Sequence, residues 1–334
     1  MDHSPEFIET TVVSTRIRLA RNLRAYPFPS KMKKSHGEEI VRIVRGALNM
    51  LDLKVKEYDT WETTAAQMRL LQEQHIISPA LTSKSCGAAF VSENKRLSIM
   101  VNEEDHLREQ YIVKGFDLKS AFEYMNEIDD GLHKYLDFAY DARLGYLSAC
   151  PSNVGTGMRA SVLMFLPGLA RSNALKNLLP SLKANGMTVR GIFGEGTKAE
   201  GFSYQVSNER TMGVSEREIL EQTSLVTMRL CEMELQEREK MRSGDKLLLK
   251  DGCLRAYGLL TNCALLPLKE LTDGMVQIKL GLALGFFKAP NAAAFNDFLA
   301  DMRPASFRLE NGLEQASERE CDEQRAEIVQ RVLP

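Results

Sequence analysis

Thr10-Thr11-Val12-Val13-Ser14-Thr15-Arg16-Ile17-Arg18-Leu19 is the stretch on which the reading of this 334-residue chain turns. It is rich in β-branched residues and alternates in polarity, the pattern of a half-buried strand. Alternation puts Arg16 and Arg18 on one face and Ile17 and Leu19 on the other. Two neighbouring guanidiniums repel each other unless an anion lies between them, and their planar forks bind phosphate oxygens bidentately. Polyphosphate is therefore a candidate ligand of Arg16 and Arg18, although a solvated edge strand fits the same spacing.

Outward from this strand, short strand-like and helical stretches mix. Residues 37–50 and 61–75 have helical spacing, and Cys86–Val91 with Leu97–Val101 reads as a hairpin around residues 92–96. Lys119–Phe138 is predicted as a helix. Gly145–Ala149 and Ala160–Leu166 are predicted as strands, the second closed by Pro167. Ser172–Ala184 forms a helix stopped by Asn185-Gly186. Met187–Phe193 and Phe202–Ser207 are strands joined by the Gly-rich loop Gly194–Gly201, before a long helix over Glu216–Arg242. Hairpins rather than regular βαβ crossovers predict an α+β fold, with a mainly antiparallel sheet flanked by helices. The change of character after Ser243-Gly244-Asp245 divides the chain into a first domain over 1–250 and a C-terminal helical domain over 251–334.

Composition narrows the classes. With 43 Lys+Arg against 45 Asp+Glu the net charge is −2, so no basic excess points to nucleic acid. Cysteines 86, 150, 231, 253, 263 and 321 form no CxxC pair. That argues against a zinc site or a disulfide framework and fits a reducing cytoplasm. The acidic start lacks the apolar core of a leader, and Met275–Phe287 is too short and too polar to span a bilayer, so no membrane role is expected.

Four further segments carry chemistry. Asn102-Glu103-Glu104-Asp105-His106-Leu107-Arg108 follows an apolar strand directly, and a carboxylate there could orient a nucleophile or accept its proton. An ordinary helix N-terminus would also favour those acids. Cys150-Pro151-Ser152-Asn153-Val154-Gly155-Thr156-Gly157-Met158-Arg159-Ala160-Ser161 contains G-x-G-x-x-A, but a strand follows where a dinucleotide site needs a helix. Its turn could still bring backbone N–H groups and Arg159 to phosphate, with Cys150 either a reactive thiol or a small buried residue. Arg190-Gly191-Ile192-Phe193-Gly194-Glu195-Gly196 ends a strand in a loop able to close over a ligand. No Walker A sequence and no HRD or DFG set occurs, so an ATP site would have to be built from arginines.

In order, STRIRLAR, NEEDHLR, CPSNVGTGMRAS, RGIFGEG and Ser207-Asn208 resemble the catalytic domain of the guanidino (phosphagen) kinases, and within that family the bacterial protein arginine kinases. The likeness runs from about residue 10 to residue 290. It implies that residues 1–250 are an ATP:guanido phosphotransferase catalytic domain. Arg16, Arg18, Arg108, Arg159 and Arg190 would hold the phosphates of ATP with Mg²⁺, and His75, Ser207 and Asn208 would lie at the nucleotide. Glu104 and Glu195 would position the acceptor guanidinium, and Cys150 would be the reactive cysteine. STR begins at residue 14, so the helical domain that precedes it in small-guanidine kinases is expected to be absent, which suits an exposed arginine on a protein substrate. A kinase of free arginine or another small guanidino compound, or a non-catalytic phosphoarginine-binding regulator, are the alternatives. The resemblance also implies stress regulation, a zinc-binding activator protein, a Clp-type protease, and a homodimer or higher oligomer. Relatives carry an R-D-x-x-R-A motif that binds phosphoarginine. Here Cys321 replaces its first Arg, leaving Asp322 and Arg325 as the candidate phosphoarginine-binding pair and one phosphate-binding fork fewer.

Overall fold

The computed structural model describes residues 8, 10–191, 200–286 and 294–333. Among the described residues the ten strands are β1 (Val12–Arg21), β2 (Val55–Asp59), β3 (Ala88–Ser92), β4 (Leu97–Val101), β5 (Leu107–Lys114), β6 (Tyr140–Asp141), β7 (Gly145–Tyr146), β8 (Met158–Phe165), β9 (Met187–Gly191) and β10 (Ser203–Asn208). Eight form one sheet in the order β2-β3-β4-β5-β1-β8-β10-β9, and every neighbouring pair is antiparallel. β6 and β7 make a separate small hairpin. The expected α+β architecture is therefore the one observed.

The two faces of the sheet differ. One face presents Ile17, Leu19, Ile99, Leu107, Met158, Ala160, Val162 and Val206, all nearly inaccessible, to helices Lys34–Met50, Leu118–His133 and Glu216–Ser243. Burying such side chains contributes roughly 1.5–3 kcal/mol each. The opposite face is apolar only over β3 and β4. There Ala89, Val91 and Met100 pack under Met68, Leu71, Ile76, Ile77 and Leu81 from helices Ala65–Glu73 and Pro79–Thr82 and the segment between them. Over β5, β1, β8, β10 and β9 that second face is polar, and the candidate site lies on it.

Two strands escape the alternation pattern. β5 carries Glu109, Gln110 and Tyr111 in succession, and β2 reads Val-Lys-Glu-Tyr-Asp, so neither shows an apolar stripe. Pro167 opens a short helix, Pro167–Arg171, instead of simply closing β8. Of Gly145–Ala149 only Gly145-Tyr146 pairs.

Past the 216–243 helix come Lys246–Leu260, Leu268–Ala283, Ala294–Asp301, Pro304–Glu310 and Glu318–Val332. These helices have a core of their own around Leu260, Leu271, Met275, Phe307, Cys321 and Val329. Among the described residues no helix is long and apolar enough to cross a membrane.

Candidate active site

Register decides which side chains meet. Arg18 of β1 lies directly opposite Arg159 of β8 and opposite Gln110 of β5. Arg16 lies opposite Ser161, and Arg108 opposite Ala20 one step further along. Across β10, Ser161 faces Ser207, and Gln205 faces Arg190 on β9. Directly paired residues share a face, so Arg16, Arg18, Arg108, Arg159, Arg190 and Ser207 stand on the polar side together. Arg21 has the opposite parity. Its guanidinium donates to Asp129 at 2.7 and 3.0 Å and stacks 3.6 Å over the Tyr146 ring inside the core.

The cluster is electrostatically strained. Burial, then Arg108 and Arg159, push the Arg16 guanidinium down to about 10. Arg18 is lowered further, by burial and by Arg16, Arg108 and Arg159, with only Glu103 opposing. Arg159 is lowered by burial and then by Arg190, with Glu209 and Cys150 pulling the other way. Among the described residues the buried Nε atoms of Arg16, Arg18 and Arg108 have no hydrogen-bond partner. Buried donors are normally satisfied. Several cationic forks with orphaned donors on one face fit the oxygens of a polyphosphate.

The Asn102–Arg108 segment turns most of its polar groups inward. Asn102 adopts φ +60° and donates to the carbonyls of Gly37 and Cys86 at 2.9 and 2.8 Å. Burial alone would raise Glu103, but Arg108 at 2.9 Å, the Ser78 hydroxyl and the Glu104 N–H together hold it below the usual carboxylate range. Asp105 is buried and accepts from Asn22 at 2.6 Å, the Ala149 N–H at 2.8 Å and the Ser148 hydroxyl at 2.7 Å. His106 accepts from the Leu23 N–H on Nδ1 and donates from Nε2 to the Pro27 carbonyl, each at 3.0 Å, so it is a neutral brace. Glu104 alone of the three acids is exposed. It follows a strand end, as expected, and the helix alternative falls away because β5 begins at Leu107.

Asp105 also places Cys150. The Ser148 hydroxyl that it holds accepts the Cys150 N–H at 3.1 Å, and Asn153 of the same loop donates to Asp105 at 3.3 Å. Cys150 Sγ lies 3.1 Å from the Ser152 hydroxyl. The loop then passes against residues 211–212 so tightly that a Cβ at Gly155, which has φ +113°, would sit 2.2 Å from the Thr211 carbonyl. Only glycine adopts this turn without clash, and the turn delivers Arg159 into β8.

Asn208 is buried and its side chain is engaged by backbone. Oδ1 accepts the Ala160 N–H at 2.9 Å, and Nδ2 donates to Met158 and Arg210 carbonyls at 3.0 Å. It clamps the start of β8, and its carbonyl accepts from Arg159 Nε at 3.3 Å. Glu195 lies outside the described residues. Asp322 and Arg325 are far along the chain in the C-terminal core, where Arg325 donates to Asp322 at 2.6 Å and to the Leu266 carbonyl at 2.7 Å. Both bonds leave from Nη1, while its buried Nε has no hydrogen-bond partner among the described residues, and its guanidinium lies 4.9 Å from the Phe307 ring centroid.

His75 stands beside the cluster and lines a cleft of about 610 Å³. Ser14, Ile112 and Leu163 of the polar face line the cleft floor, and Leu268, Val276 and Arg303 of the C-terminal helices line its other side. Gln110 Nε2 donates to the His75 carbonyl at 2.9 Å, tying this residue to the strand that carries Arg108. Although part of the residue is exposed, desolvation first, then Arg303 and Arg16, push its imidazole down to about 4. Three participants escape sequence reasoning: Glu103 as the partner of Arg108, Asp105 as the organiser of the Cys150 loop, and Arg303 at the cleft. The first two sat among interchangeable acids, and the third lies 113 residues beyond Arg190, the last arginine of the motif.

The ATP:guanido phosphotransferase, C-terminal catalytic domain family matches residues 38–237, and the protein-arginine kinase McsB C-terminal domain family matches residues 246–334. A protein-arginine kinase of Caldanaerobacter subterraneus subsp. tengcongensis is 36% identical over 97% of this chain and 97% of its own length. That of Bacillus subtilis is 35% identical over 90% of this chain and 84% of its own. Among solved structures, lombricine kinase superposes with a TM-score of 0.63 at 29% identity over 72% of this chain and 70% of that one. A duplicated taurocyamine kinase from Schistosoma mansoni superposes with a TM-score of 0.63 at 26% identity, over 73% of this chain and 36% of that one. On these matches the chain belongs to the ATP:guanido phosphotransferase family, in its protein-arginine kinase branch.

Proposed function

We propose that this protein transfers the γ-phosphoryl group of ATP to the guanidinium of arginine side chains in other proteins. The observation that carries the reading is the set of half-buried guanidiniums of Arg16, Arg18, Arg108 and Arg159 on one sheet face, with three orphaned Nε donors and Glu103 alone paired with one of them, through Arg108, among the described residues. In this reading Arg16, Arg18, Arg108, Arg159 and Arg190 receive the triphosphate. Ser207 lies on the same face, and Asn208 holds Arg159 in place. The nucleoside extends past His75 into the cleft floored by Ser14, Ile112 and Leu163. Among the described residues no three His, Cys, Asp or Glu side chains converge to hold a metal ion. Mg²⁺ is expected to accompany the ATP held by the arginine face, where it would neutralise charge on the transferring group.

Arginine is a poor nucleophile because its guanidinium stays protonated and delocalised. Exposed Glu104, standing on a turn braced by Asn102, Glu103, Asp105 and His106, is assigned as the base that takes a proton from the attacking terminal nitrogen. Glu195 is assigned as the second carboxylate holding the acceptor cation, which would otherwise be repelled by the arginine face. As the N–P bond forms, the P–O bond to ADP breaks, and the arginines keep the charge on the phosphoryl oxygens. Alignment by two carboxylates can contribute about 7–11 kcal/mol in favourable geometry. Cys150 lies at the acceptor end and tunes the guanidinium rather than attacking phosphate.

The kinase chemistry is assigned to residues 1–250 and a helical regulatory unit to 251–334. Asp322 and Arg325 remain the candidate phosphoarginine contact there. The same reading carries a cytoplasmic setting, assembly into a homodimer or higher oligomer, and partnership with a zinc-binding activator and a Clp-type protease. The deciding experiment incubates the purified protein with γ-labelled ATP and either a casein-like protein or free arginine. Acid-labile label on the protein alone is expected. Acid-stable label, label only on free arginine, or none at all would each defeat the reading.

A further inference from the structure

Arg303 belongs to the C-terminal helical region, immediately before the helix Pro304–Glu310, yet its guanidinium reaches the sheet domain. It lies 3.1 Å from His75 Nε2 and donates to the Glu73 carbonyl. The Glu73 side chain in turn accepts the N–H groups of Ala305 and Ser306 at 2.9 and 3.0 Å, which are the first free donors of the 304–310 helix. One residue of the 65–73 helix thus caps a helix of the C-terminal region, while the residue before that helix holds the imidazole at the cleft. Gln110 holds the same two-residue turn from the other side through the His75 and Ile76 carbonyls.

We infer that Arg303 is a positioning residue for the nucleotide: it fixes the His75 ring in the lining of the cleft, so that docking of the C-terminal helices through Glu73 and binding of the nucleoside are thermodynamically linked. This rests on the ATP site proposed above. Three observations support it. His75 has φ +58°, a backbone conformation uncommon for a non-glycine residue, which persists only when its surroundings hold it. An arginine donor at Nε2 makes that nitrogen the acceptor, which selects one tautomer and one ring orientation. Finally, Arg303 and His75 line the same cleft, with Ser14 and Ile112 next to the phosphate-facing Arg16. Linkage is reciprocal, so whatever Arg303 adds to nucleotide affinity, the nucleotide must add to docking of the 304–310 helix.

The test compares the full chain with Arg303→Gln, Arg303→Lys and Glu73→Gln. ADP affinity would be measured by calorimetry, KM for ATP and kcat on a protein substrate by label transfer, and amide exchange at residues 305 and 306 with and without ADP. For Arg303→Gln the expectation is an ADP Kd and an ATP KM weakened about five- to twentyfold, with kcat at saturating ATP within about twofold, and partial recovery in Arg303→Lys. ADP should slow exchange at 305–306 in the native protein and should no longer do so in Arg303→Gln. A Kd unchanged by Arg303→Gln and by Glu73→Gln, or exchange at 305–306 indifferent to ADP in a native protein that binds ADP, would overturn the inference. Failure of the native protein to bind ADP at all would instead overturn the reading of the ATP site.

Discussion

Replacing Arg18 with Met is expected to make the nucleotide-free protein more stable while destroying its hold on ATP. Arg18 is half-buried, its Nε has no hydrogen-bond partner among the described residues, and three arginines repel it against one attracting carboxylate, Glu103. A guanidinium lowered by its surroundings is one whose charged form the fold disfavours, so removing the charge relieves the folded state. Exchanging buried charges for apolar groups of similar volume stabilises proteins by about 1–4 kcal/mol where this has been tested. Arg18 keeps some solvent contact and its attraction to Glu103, which places the gain near the lower end, about 1–2 kcal/mol. At about 2–4 °C per kcal/mol for a domain of this size, the melting temperature should rise by about 2–8 °C. The same change deletes a bidentate contact to phosphate. Two charge-assisted hydrogen bonds at about 1.5–3 kcal/mol each imply an ADP affinity at least a hundredfold weaker. Thermal melts with and without Mg·ADP read both effects at once: the variant starts higher and gains nothing from ligand. A variant that melts lower than the native protein, or that keeps the full ligand-induced shift, would refute the picture of an arginine face waiting for an anion.

Glu104→Gln should lower the rate of protein phosphorylation by about 10²–10⁴-fold with the melting temperature nearly unmoved, since Glu104 is exposed; retained activity would remove it as the base. Glu103→Gln should behave differently, costing about 3 kcal/mol of stability in urea unfolding and raising the ATP KM, because Arg108 and Ser78 lose their charged partner. Asp105→Ala strips the acceptor from Ser148, Ala149 and Asn22, so alkylation of Cys150 should change rate while a native-like fold persists; an unaltered alkylation rate counts against Asp105 as the organiser of that loop. His75 is held down at about 4 against an ordinary 6.5, so between those values the unfolded chain binds more protons than the folded one. Stability should therefore decline as pH falls from 6.5 towards 4, by about 1 kcal/mol once solvent screening of this partly exposed ring is allowed for. His75→Gln should flatten that slope in urea titrations at pH 7 and pH 5.

Much of the fold and of the site was legible along the chain, because the informative features are local. Alternation in Val12–Arg21 places Arg16 and Arg18 on one face, and the Gly155 and Gly157 turn before Arg159 announces a backbone that must pass close to something. β5 hid its nature because both of its faces are polar in part: Glu109 is buried in the core and Gln110 braces the His75 turn. Periodicity reports burial of apolar groups, and a central strand carrying buried polar side chains gives it nothing to report.

The residue types, their order and the strand parity of Arg16 and Arg18 are properties of the sequence by itself; they point to phosphate, and the resemblance of the ordered motifs to the guanidino kinases adds the activity. Which acid of Glu103-Glu104-Asp105 is free, that Asn208 is a clamp, that Arg21 turns into the core to meet Asp129, and that Arg303 returns to His75 are decisions of the tertiary structure alone. The reason is physical: a side chain's role depends on which donors and charges surround it, and those neighbours come from strands and helices as far as 233 residues apart along the chain.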